Sequence, residues 1–563
     1  MNKKNNENII LEEYESEFFY KKSKSNLNIE FNRIAFIFFV FLTIVIIYSI
    51  QLLHIASLKS NIKETEPIIN KKNYRADIVD RNGSYLVKTV STIDVGIKPK
   101  EVINKKHLLL MLNYIYENSD ISSIKKKLNT NKFFYLEKNI SSKRYEELML
   151  LGDKSIVSEE SLIRLYPQNN LFSHIIGQID DGNNGISGIE KSFDKKLKKI
   201  KEPLTLTLDT DIQFLIRSEL LRFQKIFRAK GSAAILMNVN NGEILSMVSL
   251  PDFNLNRRET IKDVNYINRV TKGTYELGSV FKTFTIASAI NEGLIEPDTE
   301  FLDIEKTISC GKGHRIGEYD DKIPSDLTVE QILVRSGNIG SVRIARKVGI
   351  EKHKSFLKNI GILDKIDFDI EEVGGPQPID WYEGCKLETI SFGHGITTTI
   401  LQLAKGYSII TNGGYDIKPT LIKEDLNNRY KGKKILKDGV SKKMNNILRK
   451  IVSTKEGTAR QGNVKGYEVG GKTGTADQVI NKEYSNTKIN TFASIFPTKN
   501  PKYVLIVMLE SPKTNSEYVY HYRDGSPPHK GTPFNTAGWT SVEAAGKIIE
   551  KIGPILATKY IEN

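Results

Sequence analysis

Hydrophobic positions change their spacing several times along this chain, and each change marks a different kind of element. From Ile34 to Leu58 there is no charged side chain, and Ile34 to Ile50 is almost wholly large and apolar. Such a run can cross a hydrocarbon core of ~30 Å as one helix. Phe36-Ile37-Phe38-Phe39-Val40-Phe41-Leu42 leaves no polar face, which argues against a buried helix of a soluble domain. A cleaved signal is the other reading; the run is long for one, and no small-x-small site follows it cleanly. After a polar stretch to Lys72, alternation from Arg75 predicts a strand running into the Asn82-Gly83 turn. Residues 101 to about 160 read as helical and lysine-rich, with Leu108 to Leu112 as the apolar centre. The glycine-rich stretch Asp181 to Glu190 reads as a loop.

The pattern changes again near residue 203. Leu204 to Leu208 alternates as a strand, and Asp209-Thr210-Asp211 can cap a helix starting at Ile212. Ala233 to Met237, the turn Asn240-Asn241-Gly242 and Ile244 to Val248 predict a hairpin. Helices are predicted around Ser279, over Glu330 to Lys347 and over Leu401 to Ile410. Strands come next around Lys472, over Ile489 to Phe496 and over Tyr503 to Leu509, then a closing helix from Val542 to Ile552. Strands at both ends with helices between predict an α+β fold, an antiparallel sheet flanked by helices. The expected organisation is a tail (1–33), a membrane helix (34–58), a first domain (59–203) and a larger second domain (204–555). Lys21, Lys22, Lys24 and Arg33 precede the apolar run and only Lys59 and Lys63 come closely after it. The positive-inside rule then places the tail in the cytoplasm and everything after the run outside.

Composition refines this in three places. At 563 residues the chain is too long for one core, and 39% hydrophobic with 26% charged residues reads as globular. The net charge of +15 raises nucleic acid as a partner. The lysines are interleaved with Glu and Asp along the whole length, however, and no aromatic-basic motif stands out, so no nucleic acid is expected. Solvated faces, with a mild attraction to anionic lipid or wall polymer, account for the charge. Cys310 and Cys385 both fall in the exported part and can pair there once, but two cysteines make no disulfide framework, and free, unrelated thiols are expected. No Cys/His cluster has zinc spacing, so neither a metal nor another cofactor is expected.

Three short fragments carry the chemistry. In Gly278-Ser279-Val280-Phe281-Lys282 the hydroxyl and the amine lie one helical turn apart on one face. A lysine there can take the hydroxyl proton if burial or neighbouring positive charge lowers its pKa. Alone this is weak, since Ser122 to Lys125, Ser123 to Lys126 and Ser192 to Lys195 match it too. Ser336-Gly337-Asn338 and Lys472-Thr473-Gly474-Thr475 complete the ordered set S-x-x-K, S-x-N, K-T-G, which is far more specific. A rival overlaps the last fragment, because Gly466 to Thr473 satisfies G-x-x-x-x-G-K-[ST]. A P-loop needs a helix directly after its Lys-Thr pair, whereas Gly474-Thr475-Ala476-Asp477-Gln478 follows here, then a loop rich in Asn, Lys and Ser and another strand.

From about Arg75 to the last helix the chain resembles a class B penicillin-binding protein, a membrane-anchored D,D-transpeptidase of bacterial peptidoglycan. Arg75 to Gly83 resembles the R-G-x-I-x-D-R-N-G start of that family's pedestal, with Ala76 where glycine is usual. Gly185 to Glu190 resembles its G-x-x-G-x-E turn, and Asn241 to Met247 the first hairpin of its transpeptidase domain. Phe392-Gly393-His394-Gly395 with Leu401-Gln402-Leu403-Ala404 resembles a loop and helix of division-type members. Leu277 and Ile400 depart from the family, which often has proline at both.

The resemblance implies an elongated α/β pedestal followed by a penicillin-binding transpeptidase domain. In it Ser279 attacks the D-Ala-D-Ala carbonyl to form an acyl-enzyme, and Lys282 is the general base. Ser336 relays a proton to the leaving amine, and Asn338 binds the substrate amide. Lys472, Thr473 and Thr475 hold the terminal carboxylate, and the Thr475 N–H, beyond Gly474, is an oxyanion donor. Implied partners are peptidoglycan stem peptides, β-lactams, and a membrane glycan polymerase with other divisome proteins. The implied place is the bacterial inner membrane, single-pass, with the catalytic domain periplasmic and at work at the septum. An elongation-type transpeptidase, a β-lactamase or a β-lactam sensor would carry the same three motifs, and a silent scaffold would need neither Lys282 nor Lys472.

Overall fold

The computed structural model describes residues 26–57, 74–116, 121–257, 263–311, 313–424, 432–480 and 483–560. Residues 1–72 form a unit of their own, in which α1 (Asn26–Ser57) is the described element. Its segment Arg33–His54 is long and apolar enough to cross a bilayer, and none of it is buried. Phe36 is 69% exposed and Phe41 68%. Water disfavours such a surface and hydrocarbon accepts it. The helix starts before the predicted Ile34; Leu58 and the first 25 residues lie outside the described residues.

Residues 73–563 form the second unit. It opens with β1 (Ile78–Val79), a turn through Asn82 and Gly83, and the long β2 (Tyr85–Ile97). Then come α2 (Lys105–Ile115), α3 (Ile121–Leu128), β3 (Phe134–Ile140), α4 (Ser142–Met149) and β4 (Ile156–Leu165). The helical expectation for residues 101–160 is therefore only partly met. Phe134-Tyr135-Leu136 favours a strand, and β2 offers an open edge for it on one side and for β4 on the other. Leu108, Leu112, Leu128 and Leu148 close over Val95 and Ile97 as a small separate core.

The expected loop at 181–190 ends in a short helix, α5 (Gly188–Ser192), because Glu190 is drawn inward. Its carboxylate bonds Arg75 Nε at 2.5 Å and Arg164 Nε at 2.8 Å, all three side chains nearly inaccessible to water. The predicted strand Leu204–Leu208 shortens to β5 (Leu204–Thr205), parallel to β1, since Leu206 and Leu208 turn into the main core. Asp80, at the end of β1, accepts bonds from the Thr210 N–H at 3.1 Å and hydroxyl at 2.7 Å, which ties the first domain to the second.

The second domain is built on a five-stranded antiparallel sheet. Asp209 caps α6 (Thr210–Ile226), as the sequence predicts, although the helix begins at Thr210. The predicted hairpin is β6 (Gly231–Asn238) and β7 (Ile244–Leu250). Between this hairpin and the closing strands lie α7 (Lys282–Asn291), a small hairpin of β8 (Thr307–Cys310) and β9 (His314–Gly317), α8 (Val329–Arg335), α9 (Asn338–Val348), α10 (Lys386–Ile390), α11 (Ile400–Thr411) and α12 (Val440–Ser453). Strands β10 (Gly470–Ile480), β11 (Glu483–Phe496) and β12 (Tyr503–Glu510) complete the sheet in the order β10-β11-β12-β6-β7, and α13 (Ser541–Lys559) closes the chain. Helices α6 and α13 pack together on the sheet, and so do α11 and α12. Strands β7 and β12 are buried at every residue, which is why their apolar runs are continuous rather than alternating.

Four further details differ from expectation. The single helix predicted over 330–347 is two, broken where Ser336 adopts φ 63° and ψ 38°. The loop expected after Gln478 is mostly strand: β10 runs on to Ile480 and β11 starts at Glu483. Helix α13 continues past Pro554, because Leu556 is buried and Tyr560 just beyond bonds Asp209 at 2.5 Å. The cysteines are not free: Cys310 of β8 and Cys385 before α10 form a disulfide across 75 residues. Spacing that long carries no trace of proximity in the sequence.

Candidate active site

Ser279 sits in a tight 3₁₀ turn, Gly278–Phe281, whose next residue, Lys282, opens α7. Gly278 has φ +60°, a conformation that costs a residue with a Cβ. Strand β10 presses directly against this turn, and a Cβ added to Gly474 would lie 2.1 Å from the Leu277 carbonyl oxygen. Only glycine at 474 lets Thr473 and Thr475 stand beside Ser279. The left-handed Ser336 that ends α8 turns its hydroxyl back toward α7 while α9 restarts at Asn338.

The three fragments meet on that hydroxyl. Ser336 Oγ accepts from Lys282 Nζ at 3.2 Å and from Lys472 Nζ at 2.8 Å. Lys282 Nζ also donates to Ser336 O at 2.5 Å and to Asn338 Oδ1 at 2.7 Å, and Lys472 Nζ to Thr473 O at 3.0 Å. Both lysines are wholly buried. Burial pushes Lys282 down to about 7, against an opposing pull from the Glu318 carboxylate. Burial, followed by the charge of Lys282, holds Lys472 well below the ordinary lysine range. An amine that is half neutral near pH 7 can accept a proton from a nearby hydroxyl.

Ser279, Ser336, Asn338, Thr473 and Thr475 line a cleft of about 630 Å³. The Thr473 hydroxyl bonds that of Thr458 at 2.7 Å, and Thr475 Oγ1 accepts from the Ala537 N–H at 3.0 Å. His394 lines the same cleft between Phe392 and Tyr484, its ring centroid 5.2 Å and 6.3 Å from theirs. Burial first, and Lys282 second, lower its pKa. A smaller cleft of about 400 Å³, near Glu330, Lys450 and Glu468, holds none of the motif residues.

All eight predicted site residues therefore gather at one place. Lys282 and Lys472 meet through Ser336, and Gly474 forms the floor beside Ser279. The lookalike lysines Lys125, Lys126 and Lys195 are exposed and do not line the cleft. The P-loop reading fails on geometry, because Lys472 and Thr473 lie inside a strand that runs on to Ile480, with no helix directly after them. Among the described residues no cluster of His, Cys, Asp or Glu is suited to hold a metal. Two residues escape sequence reasoning. Thr458 bonds Thr473 but belongs to no motif. Glu318 accepts the Asn338 and Ile339 N–H groups at 2.7 and 2.8 Å, contacts made from twenty residues away that no local pattern signals.

Comparison with known proteins agrees with this geometry. A family model described as the penicillin-binding protein transpeptidase domain matches residues 232–524, and one described as the penicillin-binding protein dimerisation domain matches residues 70–211. The chain is 28% identical to the probable peptidoglycan D,D-transpeptidase FtsI of Caulobacter vibrioides, over 86% of this chain and 82% of that protein. It is 27% identical to the probable peptidoglycan D,D-transpeptidase PenA of Neisseria gonorrhoeae, over 79% and 81%. Stage V sporulation protein D of Bacillus subtilis is 28% identical, over 79% and 75%. Penicillin-binding protein 3 of Mycobacterium tuberculosis, solved with aztreonam, shares the fold with a TM-score of 0.64 at 21% identity, covering 87% of this chain and 97% of that one.

Proposed function

The chain belongs to the penicillin-binding protein transpeptidase family and is a peptidoglycan D,D-transpeptidase, and from that premise we propose that Ser279 is its nucleophile and Lys282 its general base. Neutral Lys282 takes the proton as Ser279 Oγ attacks the D-Ala-D-Ala carbonyl. The backbone N–H groups of Ser279 and Thr475 receive the developing oxyanion. As the C–N bond breaks, Ser336 passes a proton from Lys282 to the departing D-Ala amine. An acceptor amine from a second stem peptide then attacks the acyl-enzyme and releases Ser279. Lys472, Thr473 and Thr475 hold the terminal carboxylate, which restores the charge that burial makes costly on Lys472. Asn338 keeps one N–H free for the substrate amide after spending the other on the Gly317 carbonyl.

The observation that carries this reading is the single hydroxyl of Ser336 held by two buried lysines from different motifs. Labelling with a fluorescent penicillin tests it: the parent should label and Ser279→Ala should not. A β-lactamase would instead release the label quickly, so a long-lived adduct separates the two.

A single-pass membrane anchor fits the unburied α1. We place the catalytic domain on the outer, periplasmic side of the bacterial inner membrane. The Cys310–Cys385 disulfide supports an oxidising compartment. A membrane glycan polymerase and divisome proteins are the proposed partners. The Phe392–Gly395 loop favours septal over elongation-type work; depletion should give long, unseptated cells, and rounded cells would reassign it.

A further inference from the structure

The hairpin β8–β9 leads straight into Glu318, and we propose that this residue is a positioning residue of the reaction, clamping the start of α9 so that Asn338 and Lys282 stay seated on Ser336. The inference rests on the catalytic reading above. Helix α9 has no cap of its own, since its N-cap residue is Gly337, without a side chain. Glu318 supplies the missing acceptor from a distance. Its Oε2 takes the Asn338 N–H at 2.7 Å and its Oε1 the Ile339 N–H at 2.8 Å, so both oxygens are committed to the first orphan donors of an eleven-residue helix.

The clamp reaches the reacting groups in two steps. The carbonyl of the preceding residue, Gly317, accepts from Asn338 Nδ2 at 2.9 Å. That contact turns Asn338 Oδ1, rather than its NH₂, toward Lys282 Nζ at 2.7 Å. A flipped amide would set donor against donor. The break at Ser336 makes such an external hold necessary, because the left-handed residue ends the hydrogen-bond ladder of α8 just before Asn338. The arm that carries the clamp is itself fixed at both ends. Cys310 ties it to Cys385, and the Tyr319 hydroxyl bonds the Arg335 carbonyl at 2.7 Å.

Glu318 also acts through space. Among the described residues, Glu318 acts on Lys282, and Lys472 and His394 feel the charge of Lys282. Of these only Glu318 is negative, and it supports the protonated form of Lys282. Asp320 and Arg335 act on the neighbouring Tyr319.

The test is acylation by a fluorescent penicillin, followed as a second-order rate constant from pH 5.5 to 8 in Glu318→Gln and Glu318→Asp of the full chain. Glu318→Gln should lose roughly tenfold to hundredfold at the plateau, the scale of a small misplacement of reacting groups. Its acid limb should also move to lower pH, because the negative charge that favours the lysinium is gone. Glu318→Asp, shorter but charged, should keep the limb in place and recover part of the rate. A Glu318→Gln plateau within twofold of the parent would overturn the inference. So would a loss fully accounted for by a fallen melting temperature with the limb unmoved. If the parent is not acylated at Ser279, the catalytic reading fails first; normal Ser279 labelling with an indifferent Glu318 sinks this inference alone.

Discussion

On the proposed mechanism, the pH dependence of acylation is set by the burial of Lys282. With the amine held down to about 7, only its neutral form can take the Ser279 proton, so the rate must fall as pH drops through that value. The neutral fraction is about one in eleven at pH 6 and about ten in eleven at pH 8, a roughly tenfold rise. An ordinary lysine near 10.4 would give a roughly hundredfold rise over the same interval, with no levelling below about pH 10. Stopped-flow acylation with a fluorescent penicillin distinguishes these if the second-order constant is measured, since it reports the free enzyme. Burial lowers the titration of His394 from the ordinary histidine value, which puts any His394 limb on the acid side of the Lys282 limb. Melting temperatures taken at each pH separate loss of base from loss of fold. A hundredfold climb without levelling would mean that burial does not perturb Lys282. A flat profile would mean that Lys282 is not the base.

Two further outcomes test the packing around the site. Gly474→Ala places a methyl 2.1 Å from the Leu277 carbonyl oxygen, so β10 must withdraw from the Ser279 turn. Acylation should drop about a hundredfold while circular dichroism stays near that of the parent, and an unaffected rate would show that β10 need not touch the turn. Replacing Cys310 and Cys385 together by serine opens a 75-residue loop, which in chain-entropy terms removes up to about 4.5 kcal/mol. The unfolding midpoint in denaturant should fall with it, and reductant should do the same to the parent but not to the double variant. Alkylation of both thiols in the unreduced parent would contradict the pairing.

The proposed catalytic groups were legible because reaction chemistry restricts residue type and order, and that restriction survives in sequence. Ser279, Lys282, Ser336, Asn338 and Lys472 could be named without knowing that Ser336 would sit between both lysines. Residues that act through the backbone leave no such mark. Glu318 binds two N–H groups, and any carboxylate arriving there would serve. The break at Ser336 had a signal in the adjacent Gly337, a helix breaker, but the apolar positions on either side kept a helical spacing and masked it. In the first domain, lysines on both sides of Phe134–Ile140 hid a strand whose stability comes from pairing with β2 rather than from its own composition. The sheet of the second domain was easier to read, because strands buried on both faces must be continuously apolar. The disulfide was beyond reach, since pairing depends on a contact between segments 75 residues apart.

Intact-mass spectrometry of the full chain after brief exposure to benzylpenicillin tests Ser279 as the nucleophile most directly. One adduct per chain is expected, carried by the peptide that holds Ser279 and absent from Ser279→Ala. An adduct that persists in Ser279→Ala, or that maps to a different peptide, would contradict it.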